Sequence, residues 1–105
     1  MTPKKNREID EMIPPKFYLS QNYPNPFKEK TTIKYCVGYK TRVLLTIHNS
    51  EREKLDTLID EIQEPGTYKI EIDSGSDNYQ LTDGIFYYRL NADNYTDEKK
   101  MKVIK

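Results

Sequence analysis

Period-two alternation of apolar and polar residues runs through most of this chain, and it leaves room for little except antiparallel β-structure. Between Thr31 and Val37, the residues Ile33, Tyr35 and Val37 alternate with Thr32, Lys34 and Cys36. Between Arg42 and His48, Val43, Leu45 and Ile47 alternate with Leu44, Thr46 and His48. Successive side chains on a strand point to opposite faces, so each run predicts a strand with one buried and one solvated face. Thr67 to Asp73 repeats the pattern with Tyr68, Ile70 and Ile72, and Ile85 to Leu90 repeats it with Phe86, Tyr88 and Leu90. A last strand is expected over Lys99 to Lys105, with Met101 and Val103 inward. Leu55, Leu58, Ile59 and Ile62 fit a helical face about as well as a strand; β-branched Thr57 and Ile59, with a strand on either side, decide for a strand.

Turn signals separate these runs: Val37-Gly38-Tyr39, Asn49-Ser50, Glu64-Pro65-Gly66, Ser74 to Asn78, and Asp83-Gly84. Connections this short require antiparallel pairing, because a parallel crossover needs a dozen or more residues. The expected fold is all-β, an antiparallel immunoglobulin-like β-sandwich of about seven short strands. The nine tyrosines suit it, since a Tyr can pack its ring inward and keep its hydroxyl at the edge of a thin sandwich. Met1 to Lys16, rich in charge and proline, reads as a polar linker or disordered leader, and Phe17 to Lys105 as the folded domain.

Composition excludes several functions. With 17 basic and 17 acidic residues the chain is formally neutral, which removes the attraction a nucleic-acid binder needs, so no nucleic acid is expected as partner. One His and one Cys cannot build a zinc site or an intrachain disulfide, and no cofactor or metal is expected. Nothing in the sequence is long and apolar enough to insert in a membrane, and the first residues lack the apolar core of an export signal. Charge is unevenly spread: Lys16 to Lys54 has eight basic and three acidic residues, and Leu55 to Asp83 one basic and eight acidic. If these halves form opposite sides the domain is dipolar; if not, the charges simply solvate strand faces.

Three stretches go further. The first is Leu19-Ser20-Gln21-Asn22-Tyr23-Pro24-Asn25-Pro26-Phe27, followed by Thr31-Thr32-Ile33-Lys34-Tyr35. Pro24 and Pro26 lack backbone donors and fix φ, so this segment reads as a rigid corner that delivers Phe27, as a buried anchor, to a fixed place. The second is Glu64-Pro65-Gly66-Thr67-Tyr68, and the third is Leu81 to Leu90, with Lys100-Met101 and a final Lys105 beyond it. In this order and spacing they resemble the type A C-terminal sorting domain of the type IX secretion system, a module related to the immunoglobulin-like domain of flagellar hook-capping proteins. The chain departs from the family at Lys28-Glu29-Lys30. It departs again at Arg52, which stands where the family usually has a hairpin glycine and so predicts a turn of different geometry.

The resemblance implies a non-catalytic address label, carried on a larger exported protein that ends secreted or at the cell surface. Its partners would be the outer-membrane translocon and the associated sorting and cleavage machinery, with the domain acting as a monomer. Pro24, Asn25, Pro26, Phe27, Gly84, Lys100, Met101 and Lys105 are the recognition candidates it implies. The alternative is an autonomous immunoglobulin-like module, adhesive or scaffolding, that binds protein through a sandwich edge.

No catalytic residue is expected. His48 reads as an outward-facing strand histidine and Cys36 as a half-buried small hydrophobe. Asp73-Ser74-Gly75-Ser76-Asp77-Asn78 has oxygens that suit calcium but reads first as an ordinary turn. Asn94-Tyr95-Thr96 fits a glycosylation acceptor and reads more simply as a hairpin.

Overall fold

Strand pairing follows the alternation. The structure, a computed structural model, describes residues 16–105, and nearly all of the expected leader lies outside them. Among the described residues seven strands form: β1 (Tyr18–Leu19), β2 (Lys30–Val37), β3 (Thr41–His48), β4 (Lys54–Gln63), β5 (Gly66–Asp73), β6 (Gly84–Ala92) and β7 (Tyr95–Val103). They make a three-stranded sheet in the order β1-β2-β5 and a four-stranded sheet in the order β4-β3-β6-β7, every neighbouring pair antiparallel. The ambiguous stretch is a strand, β4. Its mixed spacing reflects an edge strand beside β3, where bulges at Leu45/Thr46 and Ile47/His48 shift the register. The last strand starts at Tyr95 rather than Lys99, because the hairpin at Asp93-Asn94 pairs Tyr95 with Ala92.

Only two of the short connections close hairpins, β3–β4 and β6–β7; the links β2–β3 and β4–β5 pass from one sheet to the other. The inward sets meet between the sheets. Ile33, Tyr35, Val37 and Ile72 from one side pack on Val43, Leu45, Ile47, Phe86, Tyr88, Leu90, Met101 and Val103 from the other. Phe17 seals one end, with its ring edge-on to Tyr39 at 5.0 Å and against Tyr95 at 5.7 Å.

Two buried tyrosines tie the sheets together with their hydroxyls. Tyr35, in β2, donates to Gln63 Oε1 of β4 at 2.9 Å, and Tyr88, in β6, donates to the Ser20 carbonyl beyond β1 at 2.7 Å. Burial raises the pKa of both phenols. A ring in the core with a satisfied hydroxyl adds cross-sheet order that an aliphatic side chain could not.

The charge asymmetry along the chain produces no dipole of two halves, because strand pairing interleaves them. Basic β2 lies beside acidic β5, and β3 beside acidic β4, so Lys30 meets Glu71 at 3.9 Å and Arg42 meets Asp60 at 2.8 Å. Lys40 and Glu64 pair at 3.6 Å between the two inter-sheet links.

His48 is a correction: it is buried, 6% exposed, not outward in solvent. It lies on the outer face of central strand β3, between Tyr87 of β6 and Lys54 of β4, and its Nε2 shares a 2.8 Å hydrogen bond with the Thr46 hydroxyl. Long side chains form a canopy on this face. Arg52 lies 4.2 Å from the Tyr87 ring centre and 3.1 Å from Glu98, which also holds Arg89 at 2.9 Å. Such side chains bury what lies beneath their stems while their charged heads stay wet. Desolvation and nearby Arg89 push the His48 pKa down. Burial draws the Glu98 carboxyl upward, but the Arg89 and Arg52 guanidiniums outweigh it and hold that carboxyl below its ordinary range.

Arg52 corrects a second expectation. Its φ is 66°, so it adopts the left-handed conformation that glycine would supply, and the hairpin keeps that geometry without a glycine. The β3–β4 turn is closed by the Arg52 N–H donating to the Asn49 carbonyl at 2.9 Å, while Asn49 Oδ1 accepts from the Glu51 and Glu53 amides, each at 2.9 Å.

Candidate functional site

The proline motif leaves β1 and returns to the end of β7, joining stretches that lie far apart in sequence. Both Tyr23-Pro24 and Asn25-Pro26 peptide bonds are cis. The loop is organised around Asn22, only 2% exposed. Its Nδ2 donates to Thr31 Oγ1 at 2.9 Å and to the Pro24 carbonyl at 3.2 Å, and its Oδ1 accepts from Gln21 Nε2 at 2.7 Å. Thr31, equally buried, donates to the same Pro24 carbonyl at 2.7 Å. A polar group buried among satisfied partners fixes a loop in one shape, since any other shape would strand those groups. Asn22 is a positioning residue missing from the sequence-derived candidates. Its signal was present, an Asn just before the first X-Pro pair, where local side-chain to backbone bonds are common.

Beyond this loop the chain lies against the outer side of β7. Phe27 forms an isolated parallel bridge to Val103: its N–H donates to the Lys102 carbonyl at 3.0 Å, and its carbonyl accepts from the Ile104 N–H at 2.8 Å. Asn25 Oδ1 accepts from the Lys102 N–H at 2.9 Å, and Gln21 Nε2 donates to the Lys100 carbonyl at 2.6 Å. These bonds cap part of a sheet edge that would otherwise present unpaired backbone groups. The Phe27 ring enters the core, 3% exposed, as the sequence reading expected.

The remaining candidates gather at the same end. Met101 is fully buried and faces Phe86 across β6–β7, while Lys100 is exposed opposite Tyr87. Gly84 opens β6 opposite Val103 with φ 141°, a conformation that side chains with a Cβ rarely adopt, although the space around it is open. The Lys105 N–H donates to Asp83 Oδ1 at 3.1 Å, just before Gly84. Pro24, Asn25, Pro26, Lys100 and Lys105 are thus the accessible members of the set, and Phe27 and Met101 hold the corner from within. Ser74 fastens the other flank. Its hydroxyl donates to the Lys28 carbonyl at 2.9 Å and its N–H to the Glu29 carbonyl at 2.8 Å.

The other chemically suggestive residues lie elsewhere. Cys36 is half-buried on the three-stranded sheet, its Sγ 3.7 Å from Thr67 Oγ1. The Asp73 to Asn78 segment is a turn closed by its own groups: Asp73 Oδ1 accepts from the Gly75 N–H at 2.9 Å, and Ser76 Oγ accepts from the Asn78 N–H at 3.2 Å. Asn94 sits in the β6–β7 hairpin, as expected.

The fold has a counterpart among solved structures. The chain superposes with a TM-score of 0.62 and 18% identity on part of the crystal structure of dimeric latent PorU from Porphyromonas gingivalis, matching 85% of this chain and 9% of that one. At that identity the likeness is one of fold, and it concerns a domain-sized stretch of a much longer protein. No protein-family model matches the chain, and no curated protein does.

Proposed function

We propose that this domain is a non-catalytic sorting signal that directs a cargo protein through the type IX secretion system to the cell surface or beyond. The observation that carries the reading is the corner itself. The motif most specific to the resemblance, Pro24-Asn25-Pro26-Phe27, is hydrogen-bonded to the Lys100 to Lys105 segment, so the two form one presented surface instead of two unrelated turns. A translocon reading that surface would read a folded shape, with Asn25 and the lysines outward and no bond-making chemistry required. The likeness to a stretch of PorU is one of fold, and a sorting module of this architecture is compatible with it. The test is transplantation. Fused behind an exported reporter in a bacterium that has the system, the 105-residue chain should carry the reporter to the surface, and a folded fusion retained in the periplasm would contradict the proposal.

One observation favours a second reading, an autonomous adhesive or scaffold module. Strand β4, ten residues long, pairs on one side only among the described residues and carries Ile62 at 63% and Leu55 at 36% exposure. An open edge with apolar side chains can accept a partner strand. Binding of surface proteins without any effect on export would favour that module.

A further inference from the structure

The outer face of the three-stranded sheet carries a pair of positive charges that no acidic side chain among the described residues compensates. Lys34 of β2 and Lys69 of β5 are direct cross-strand partners, both exposed. Like charges in that position oppose pairing. Lys30, further along β2, is matched by Glu71, but among the described residues neither Lys34 nor Lys69 makes an ion pair. Beside them opens a groove of about 440 Å³, lined by Ser20, Gln21, Tyr23, Thr32, Lys34 and Lys69.

The walls of this groove are held in place. Tyr23 and Thr32 exchange two backbone hydrogen bonds of 2.9 Å, which fixes the Tyr23 backbone, while its side chain leaves the residue 81% exposed. Ser20 pins Lys34: its N–H and hydroxyl donate to the Lys34 carbonyl at 3.0 and 2.7 Å, and its hydroxyl accepts from the Lys34 N–H at 3.1 Å. Two ammonium groups and an exposed aromatic ring therefore stand around a prepared concavity.

We propose that this groove binds the carboxylates of an acidic peptide segment of a partner protein. A carboxylate between Lys34 and Lys69 accepts charge-assisted hydrogen bonds from both and removes their repulsion. Tyr23 offers a surface to the peptide's aliphatic stems, which a bare inorganic anion cannot use. Two cations, with Glu71 and Asp73 following on the same strand, are too few for a phosphate backbone or an anionic bilayer, whose binding rests on many positive charges. The groove adjoins the corner and shares Gln21 with it, but its two cations lie on β2 and β5, away from Asn25 and Lys102, and the proposal stands whether or not the domain is a sorting signal.

The test is a titration of the isotopically labelled full chain, at low salt, with a hexaglutamate peptide blocked at both ends, followed by nuclear magnetic resonance. Saturable shifts should centre on Ser20, Thr32, Lys34 and Lys69 and weaken with added salt. The same peptide made of glutamine should produce none. The Lys34→Gln, Lys69→Gln double variant should bind at least about ten-fold more weakly. That variant should melt at or above the parent temperature, since it loses a repulsion, so weakened binding cannot be ascribed to unfolding. Shifts centred on Lys100 to Lys105, undiminished binding by the double variant, or equal binding of inorganic phosphate or anionic vesicles would each overturn the proposal.

Discussion

The side-chain oxygen of Asn25 accepts a hydrogen bond from the backbone N–H of Lys102, at 2.9 Å, across most of the length of the chain. This bond joins the proline corner to the last strand, and Asn25 is exposed, so it can be tested with little disturbance of the core. Asn25→Ala should cost about 0.5–1.5 kcal/mol in a denaturant titration, the net worth of one such bond. Hydrogen exchange at the Lys102 amide should accelerate, while that of Leu45, in central strand β3, falls only with global stability.

Phe27 anchors the same corner from inside. Its truncation to Ala removes a buried ring and leaves a cavity against β7, at a cost of about 3–5 kcal/mol. That approaches the whole stability of a domain of this size, so the variant should be partly unfolded at ambient temperature. Thermal melting checks this, and a variant melting within a few degrees of the parent would mean the ring contributes little.

Arg52 separates conformational strain from side-chain contact. Any residue with a Cβ is disfavoured at its φ of 66°, by about 1–2 kcal/mol, whereas glycine is not. Arg52→Ala keeps that cost and loses both the Glu98 ion pair and the Tyr87 stacking; Arg52→Gly loses the contacts but also the strain. We expect the Gly variant to be the more stable of the two by about 1 kcal/mol, measured by chemical denaturation.

His48 gives the domain a defined response to acid. Its folded pKa lies below the ordinary 6.5, so the unfolded chain takes up the proton first as pH falls. Stability should therefore be level above about pH 6.5 and decline below it, until the folded form also protonates. His48→Gln should flatten this part of the profile. A further decline at lower pH should remain, because Glu98, held down by its two arginines, is protonated more readily when unfolded.

Much of this architecture was legible in the alternation. Ile33, Tyr35 and Val37, or Phe86, Tyr88 and Leu90, announce one buried face because the sandwich buries one face of each sheet. Departures occur where that rule weakens. Thr46 and His48 are buried on the outer face, under side chains from β6, β7 and the Arg52 turn that no local pattern encodes. The polar start of β7, Thr96 to Lys99, has no inward apolar residue to mark it and owes its strand to hairpin pairing with β6. At the corner, motif resemblance singled out Asn25, Phe27 and the final segment from Lys100 to Lys105 without showing that they meet. Their meeting depends on the closure of the sandwich, and Asn22 escaped notice because its partners Thr31 and Pro24 are assembled only by the folded loop.

The most direct measurement concerns the corner as a folded surface. A fusion carrying Asn25→Ala, Lys100→Gln and Lys105→Gln changes only exposed side chains; the one hydrogen bond lost at Asn25 should lower the melting temperature by about 2–12 °C and leave the domain folded. If the sorting machinery reads this surface, export of the reporter should fall at least about ten-fold, a free-energy change of about 1.4 kcal/mol in recognition, while the domain remains folded. Export at the parental level from that folded variant would contradict the reading of the corner as an address.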